Sequence, residues 1–298
     1  MLEQKPISET SFHLAGIVPV AGQPLDFNFP WHDSLMPIAS NYLAVERAVL
    51  ECAYAGCETI WVVCNDDMQP LIRHRLGDYI FDPVSVGRKF KPGDERRAIT
   101  IYYVPVHPKD RDKRDCLAWN ALYGALTSYH ISKGISKWTI PDRYYIAFPY
   151  GVYNPEILRQ HRKKISSRRD FFLSFNGETV ADGAYLGFTF DSQGYFKYRD
   201  TVRKEGTGTR VPGQKGIPTK NLPLEERWSA RFFSLDKVFK SANIDEANVV
   251  DVPQYHKIDS WETFCIYAGS AHTSDIVRPD KSIMSFKEWN PMGVDNDE

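Results

Sequence analysis

Short apolar runs alternate with segments of helical periodicity over the first 165 residues. Gly16-Ile-Val-Pro-Val-Ala21 ends on Gly22 and gives way to an irregular stretch, 23–38. Beyond it Tyr42, Val45, Val49, Cys52 and Ala53 recur at the spacing of one helix face. Ser40 is placed to cap that helix and Gly56 to end it. Ile60-Trp-Val-Val-Cys64 is a continuous apolar run, the pattern of a strand buried on both faces. A helix is predicted over 68–75, stopped by Gly77, then a strand over 99–105, a helix over 117–129, a strand over 144–148 and a helix over 155–165. Such alternation argues for a parallel sheet covered on both faces. In sheets of that kind ligands bind beyond the carboxyl ends of the strands.

The second half changes character. Aromatic-rich strands are predicted over 171–175, 185–190 and 195–198, joined into hairpins at Asn176-Gly177 and Ser192-Gln-Gly194. Residues 201–226 hold four Gly and three Pro without apolar periodicity, and read as a long mobile loop. A strand over 229–233, a helix over 235–242 and a final helix over 260–271 follow. Residues 1–283 are expected to form one domain and 284–298 an acidic-ended extension.

At 298 residues the chain is long enough to bury about three-quarters of its unfolded surface. A net charge of −1 gives no overall field toward nucleic acid or membrane. The longest apolar runs are too short to span a bilayer, and Met-Leu-Glu-Gln-Lys-Pro lacks the order of a signal peptide. Five cysteines without a C-x-x-C pair suit a reducing compartment, so a cytoplasmic location is expected. Cys52, Cys57 and Cys64 are close in sequence but fall on a predicted helix and strand, and read as buried thiols rather than metal ligands. Basic residues gather in 159–169 and in the loop (Arg203, Lys204, Arg210, Lys215, Lys220). They read as a solvated face or, in the loop, as a segment that closes over an anionic ligand.

The order of these signals resembles the GT-A-like nucleotidyltransferases, which make nucleotide-sugars from a nucleoside triphosphate and a sugar phosphate. Gly16 to Gly22 resembles that family's first strand and turn, and Ser34-Leu-Met-Pro-Ile38 the end of its long first loop. Tyr42 to Val63 follows its next helix and strand, including the Ala55-Gly56 junction, and Ile72 to Asp78 fits the helix after that. Ser229 to Phe239 and Ile258-Asp-Ser-Trp-Glu-Thr-Phe264 resemble its later strand-and-helix and its closing segment. The resemblance implies an α/β fold: three-layer, Rossmann-like, of GT-A type, with a mostly parallel sheet, helices on both faces and a β-rich second half. The phrase from Pro19 to Asn41 also resembles proteins of tailed phages of marine bacteria. That would place the chain in a host cytoplasm or a virion, with phage or self-association partners.

Nucleotidyl transfer needs backbone amides around a triphosphate, a cation at the transferring phosphate and carboxylates for a bridging magnesium ion. By resemblance Ala21, Gly22, Gln23 and Asn120 are nucleotide-binding positions, Asp259 is a metal position and magnesium is the cofactor. The departures are as marked. The family's Gly-x-Gly-Thr-Arg is replaced by Gln23-Pro-Leu-Asp-Phe27, where Pro24 has no amide hydrogen, and Gly22 reads equally as a phosphate contact or a plain turn. Its Pro-Lys is replaced by His32-Asp33. Asp26, His32 and Asp33 read either as a metal cluster or, more simply, as loop residues that cap and turn. Its first metal-binding Asp is replaced by Pro149-Tyr-Gly151. Asp259 matches the second and reads equally as a helix cap. Its Gly-Thr-x-x-Ala is replaced by Leu117-Ala-Trp-Asn-Ala121, with Trp119 read as core packing. The expected function is nucleotidyl transfer from a nucleoside triphosphate to a sugar phosphate. The alternative is a degenerate fold kept for binding or a structural role in a virion. A glycosyltransferase is a weaker third reading, because Asn65-Asp66-Asp67 is a poor match to the Asp-x-Asp metal motif.

Overall fold

The computed structural model describes residues 12–20, 25–86, 97–204, 233–279 and 283. Strand β1 (Leu14–Pro19) opens the fold, and a loop leads to a small hairpin of β2 (Pro37–Ala39) and β3 (Tyr42–Leu43). Helix α1 (Ala44–Ala55), β4 (Thr59–Val63), α2 (Gln69–Leu76), β5 (Tyr79–Phe81) and the short α3 (Pro83–Val86) follow. Then come β6 (Ala98–Val104), α4 (Pro108–Arg114), α5 (Leu117–Ile135), β7 (Arg143–Ile146), β8 (Gly151–Val152) and α6 (Arg162–Ile165). The rest comprises β9 (Phe171–Ser174), β10 (Phe188–Phe190), α7 (Ser192–Lys204), α8 (Leu235–Phe239), β11 (Asn248–Asp251), β12 (His256–Lys257) and α9 (Trp261–Ala268).

Eight strands form one sheet in the order β11-β9-β10-β7-β1-β4-β6-β5. The central β7, β1, β4 and β6 are mutually parallel, as are β9 and β11, while β10 and the edge strand β5 run antiparallel to their neighbours. This is the three-layer, mostly parallel α/β architecture expected. Helix α5 packs on β1 and β4 together with α7 and α8 on one face, and α1 packs on the other with the 3-10 helix Pro155–His161 and α6. Glycines let both layers close on the sheet. A Cβ on Gly16 would lie 2.8 Å from the Cys52 Sγ of α1, and one on Gly124 would lie 2.6 Å from Ile17 and 2.7 Å from Val63. Cys52, Cys57 and Cys64 are free, buried thiols.

Several boundaries differ from the sequence reading. Residues 195–198 are helical rather than extended, within α7. Tyr195, Tyr198 and Val202 are buried at helical spacing, and Asp191 Oδ1 accepts the Gln193 and Gly194 amides, so the expected hairpin turn starts a helix. Helix α7 also takes the first residues of the loop expected over 201–226; residues 205–226 lie outside the described residues. So do 229–232 of the expected strand over 229–233, and Phe233 is not in a strand. The helix expected over 155–165 is a 3-10 segment continued by α6. The last helix ends at Ala268 and is followed by a 3-10 turn, Ala271–Asp275. Gly56 ends α1 as expected, in a left-handed conformation, but Ser40 is not the cap: Glu46 Oε2 accepts the Leu43 amide instead.

Candidate functional site

The carboxyl ends of β1 and β4 meet the start of α5, and there three polar side chains interlock. Asn120, in the first turn of α5 and fully buried, donates through Nδ2 to the Val20 carbonyl at 3.0 Å and to Asp115 Oδ1 at 2.8 Å. Asn65, just beyond β4, donates through Nδ2 to the other Asp115 oxygen at 3.1 Å. An ionised carboxylate only accepts, so both amides must turn their NH2 groups toward Asp115. Their carbonyl oxygens, Asn65 Oδ1 and Asn120 Oδ1, are thereby left buried without a donor, as is the indole N–H of Trp119 without an acceptor. Buried polar atoms left this way are costly, and each calls for a reason. Trp119 is packed in the core as expected, with the Arg114 guanidinium 4.5 Å from its ring centre.

A row of residues continues from this cluster along the same edge. Tyr150, beyond β7, donates its hydroxyl to Asp33 Oδ1 at 3.0 Å, and Asp33 Oδ2 accepts the Leu25 amide at 2.5 Å. Burial first, and then the adjacent Asp33 charge, push the Tyr150 hydroxyl well above the usual phenol range, with Asp115 adding to the effect. Tyr150 therefore stays a proton donor. Its ring meets that of Tyr185 at 5.6 Å. The Tyr185 hydroxyl is raised by burial, then by the charges of Asp259, Tyr255 and Asp33. Lys257 Nζ sits 5.4 Å from the Tyr185 ring centre and 3.1 Å from Asp259 Oδ2.

Backbone pairing brings this last pair to the row. β12 runs antiparallel to β8, with Lys257 opposite Gly151, and the Ile258 amide donates to the Tyr150 carbonyl at 2.9 Å. A Cβ on Gly151 would fall 2.0 Å from the Tyr185 carbonyl oxygen, so the close approach of these segments requires glycine there.

Of the residues assigned from sequence, Asn120 stands in the cluster and Asp259 at the far end of the row. Ala21, Gly22 and Gln23 lie outside the described residues. Asp259 is not the helix cap: Ser260 caps α9, and Asp26 Oδ2 accepts the Trp261 amide at 2.9 Å. That bond, with a second from the Asn28 amide, holds the Asp26 carboxyl below its usual value. His32 caps the 3-10 turn Asp33–Leu35, so Asp26, His32 and Asp33 cap and turn the loop. In the basic stretch 159–169, Arg162 closes the end of α1 by donating to the Ala53 and Tyr54 carbonyls. Asp66 is ion-paired with Arg111.

Sequence reasoning missed Asp115, Tyr150, Tyr185 and Lys257, and weighed Asn65 only as part of a metal motif. A signal was available for Asn65 and Tyr150, polar residues that follow the buried strands β4 and β7 at the carboxyl end of the sheet; Asp115, Tyr185 and Lys257 follow no such strand. Magnesium is poorly matched by the side chains present. Among the described residues no three His, Cys, Asp or Glu side chains gather as a metal site. Asp33 has both oxygens engaged, and Asp259 is paired with an ammonium group. A separate cleft of about 240 Å³, lined by Trp61, Tyr102 and Trp138, lies near the amino ends of the strands and shares no residue with the row.

No protein-family profile matches the chain, and no curated protein sequence matches it. Solved structures do. One assigned as a glucose-1-phosphate thymidylyltransferase from Bacillus anthracis, in complex with sucrose, superposes with a TM-score of 0.53 at 10% identity, covering 90% of this chain and 98% of that one. A UDP-glucose pyrophosphorylase in its apo form gives 0.52 at 10% identity, covering 89% and 100%. A structure of UDP-glucose pyrophosphorylase with UDP-glucose gives 0.50 at 11% identity, covering 88% and 100%. At these identities the likeness is one of fold: nearly the whole chain is built like sugar-phosphate nucleotidyltransferases.

Proposed function

We propose that the carboxyl edge of the sheet binds a nucleoside triphosphate, and that the protein transfers its nucleotidyl group to a sugar phosphate or similar acceptor. The observation that carries this reading is the pair of buried, unsatisfied amide oxygens, Asn65 Oδ1 and Asn120 Oδ1, turned away from Asp115. They present acceptors to a ligand with N–H donors on a planar edge, and a nucleobase has such an edge. Trp119 adds one N–H donor. The likeness in fold to a thymidylyltransferase and a UDP-glucose pyrophosphorylase supports the reading. Ala21-Gly22-Gln23 continue the chain from Val20, whose carbonyl Asn120 holds, and are assigned to the phosphates. In the reaction an acceptor phosphate oxygen bonds to the α-phosphorus while the bond to the β-phosphate oxygen breaks, releasing pyrophosphate.

A second reading is favoured by Pro149 at the end of β7, where no carboxylate stands, and by the full engagement of Asp33. In that reading the same site binds a nucleotide without turnover, as an accessory or virion protein would. Calorimetric titration with ATP, GTP, CTP and UTP, followed by pyrophosphate release with pooled sugar phosphates, separates the two. The transferase reading expects binding that Asn120→Ala weakens about tenfold, together with pyrophosphate release. Binding without release favours the second reading, as does recovery of the chain from purified virions in fixed stoichiometry. Failure of every nucleotide to bind overturns both.

A further inference from the structure

The row along the carboxyl edge carries the Asp115, Asp33 and Asp259 carboxylates, which disfavour a triphosphate unless a cation stands among them. Asp115 and Asp33 are buried and bonded to neighbouring amides and a phenol. Asp259 differs, being part exposed with its Oδ2 against the Lys257 ammonium. Lys257 is about half exposed, and its backbone is fixed by the β12–β8 pairing. The Tyr185 ring beneath it supplies a favourable aromatic face. A single carboxylate already neutralised by an ammonium 3.1 Å away is a poor ligand for a dication, which that ammonium repels. The ammonium itself has three N–H donors and can turn some of them to phosphate oxygens.

We propose that Lys257, oriented by Asp259, is the phosphate-binding cation of this site, in place of a protein-held magnesium ion. The proposal rests on the nucleotide reading above and goes beyond it, because it reverses the role that resemblance assigns to Asp259. Asp259 becomes a positioning residue, and triphosphate affinity owes nothing to metal held by the protein.

The test is calorimetric titration of the full chain with ATP, GTP, CTP and UTP and with the four matching nucleosides, each in magnesium and in EDTA. The expected result for the unaltered protein is triphosphate binding that magnesium does not tighten. Lys257→Met weakens the triphosphate about tenfold, the worth of one charge-assisted hydrogen bond, and leaves the nucleoside unchanged. Lys257→Arg restores most of the loss. Asp259→Asn keeps or tightens triphosphate binding, since the amide oxygen still accepts from the ammonium and orients it while the competing charge is gone. The proposal is overturned if magnesium tightens binding and Asp259→Asn abolishes that gain, or if Lys257→Met leaves triphosphate affinity unchanged. If nucleosides bind and Lys257→Met has no effect, this inference fails while the nucleotide site stands. If neither nucleosides nor triphosphates bind, both fail.

Discussion

Arg47 Nη2 donates to the carbonyl oxygen of Phe148 at 2.5 Å, joining α1 to the end of β7 across 101 residues of sequence. The same guanidinium pairs with Glu51 one turn along at 2.8 Å, and both side chains are fully buried. Tyr145 donates its hydroxyl to the other Glu51 oxygen, also at 2.8 Å. Burial raises the Glu51 carboxyl above its usual range against the pull of Arg47 and its hydrogen bonds. The network thus holds the segment that continues into Tyr150 and the candidate site. Arg47→Met leaves a buried carboxylate without its cation, and an expected loss of about 3–5 kcal/mol in chemical denaturation follows. Arg47→Met with Glu51→Leu is expected to cost less than Arg47→Met alone, because no uncompensated charge remains.

Asp115 sets the direction of two amides, so in the proposed nucleotide site it bears on selectivity. Asp115→Asn supplies a donor as well as an acceptor, and Asn65 and Asn120 are then free to turn either way. The spread of affinities between the tightest and weakest nucleoside is expected to narrow, as read by titration, while thermal stability changes little. An unchanged spread would show that the orientation of these amides does not select the base.

Stability toward acid has a local source. Burial disfavours the charged form of Asp82, but the Arg162 guanidinium, bonded at 2.6 and 3.1 Å, outweighs it and holds the carboxyl below its usual value. A carboxyl depressed on folding contributes stability above the unfolded value of about 3.9, and loses it as the pH falls through the folded value. Denaturation midpoints are therefore expected to fall less steeply below about pH 4 in Asp82→Asn than in the unaltered protein. Arg162→Ala is expected to cost about 3 kcal/mol at neutral pH, since it leaves Asp82 only the more distant Arg97 as a cation and uncaps α1.

The thiols should react unequally. Burial pushes Cys64 and Cys116 up to about 12, and Cys52 is raised well above the ordinary thiol range, also by burial. Cys265 is exposed on α9. At about pH 8 a disulfide reagent is expected to titrate one of the five cysteines in the folded protein and all five in denaturant. More than one fast-reacting thiol would contradict the burial of Cys52, Cys57, Cys64 and Cys116.

Much of the fold is legible along the chain where one short stretch contains the whole cause. Gly56 ends α1 because its left-handed backbone costs glycine little. Asn176 and Gly177, both at positive φ, turn the chain so that Phe175 pairs with Glu178. The mistaken strand at 195–198 shows the limit of such reading. Two tyrosines suit a strand as well as a helix, and only their alignment with Val202 and the capping by Asp191 decide for the helix.

Sequence by itself determined the alternation of strands and helices and the mostly parallel sheet, because periodicity and turn chemistry act over a few residues. It also carried Asn120 and Asp259 as candidates through resemblance. Only the tertiary structure decided what those two residues face. The Asp115 carboxylate draws the NH2 groups of two amides to itself, and the pairing of β12 with β8 sets Lys257 and Asp259 beside Tyr185. Hydrogen-bond direction and charge pairing depend on which groups meet in space, and groups separated by tens to hundreds of residues meet only when the sheet and its covering layers close.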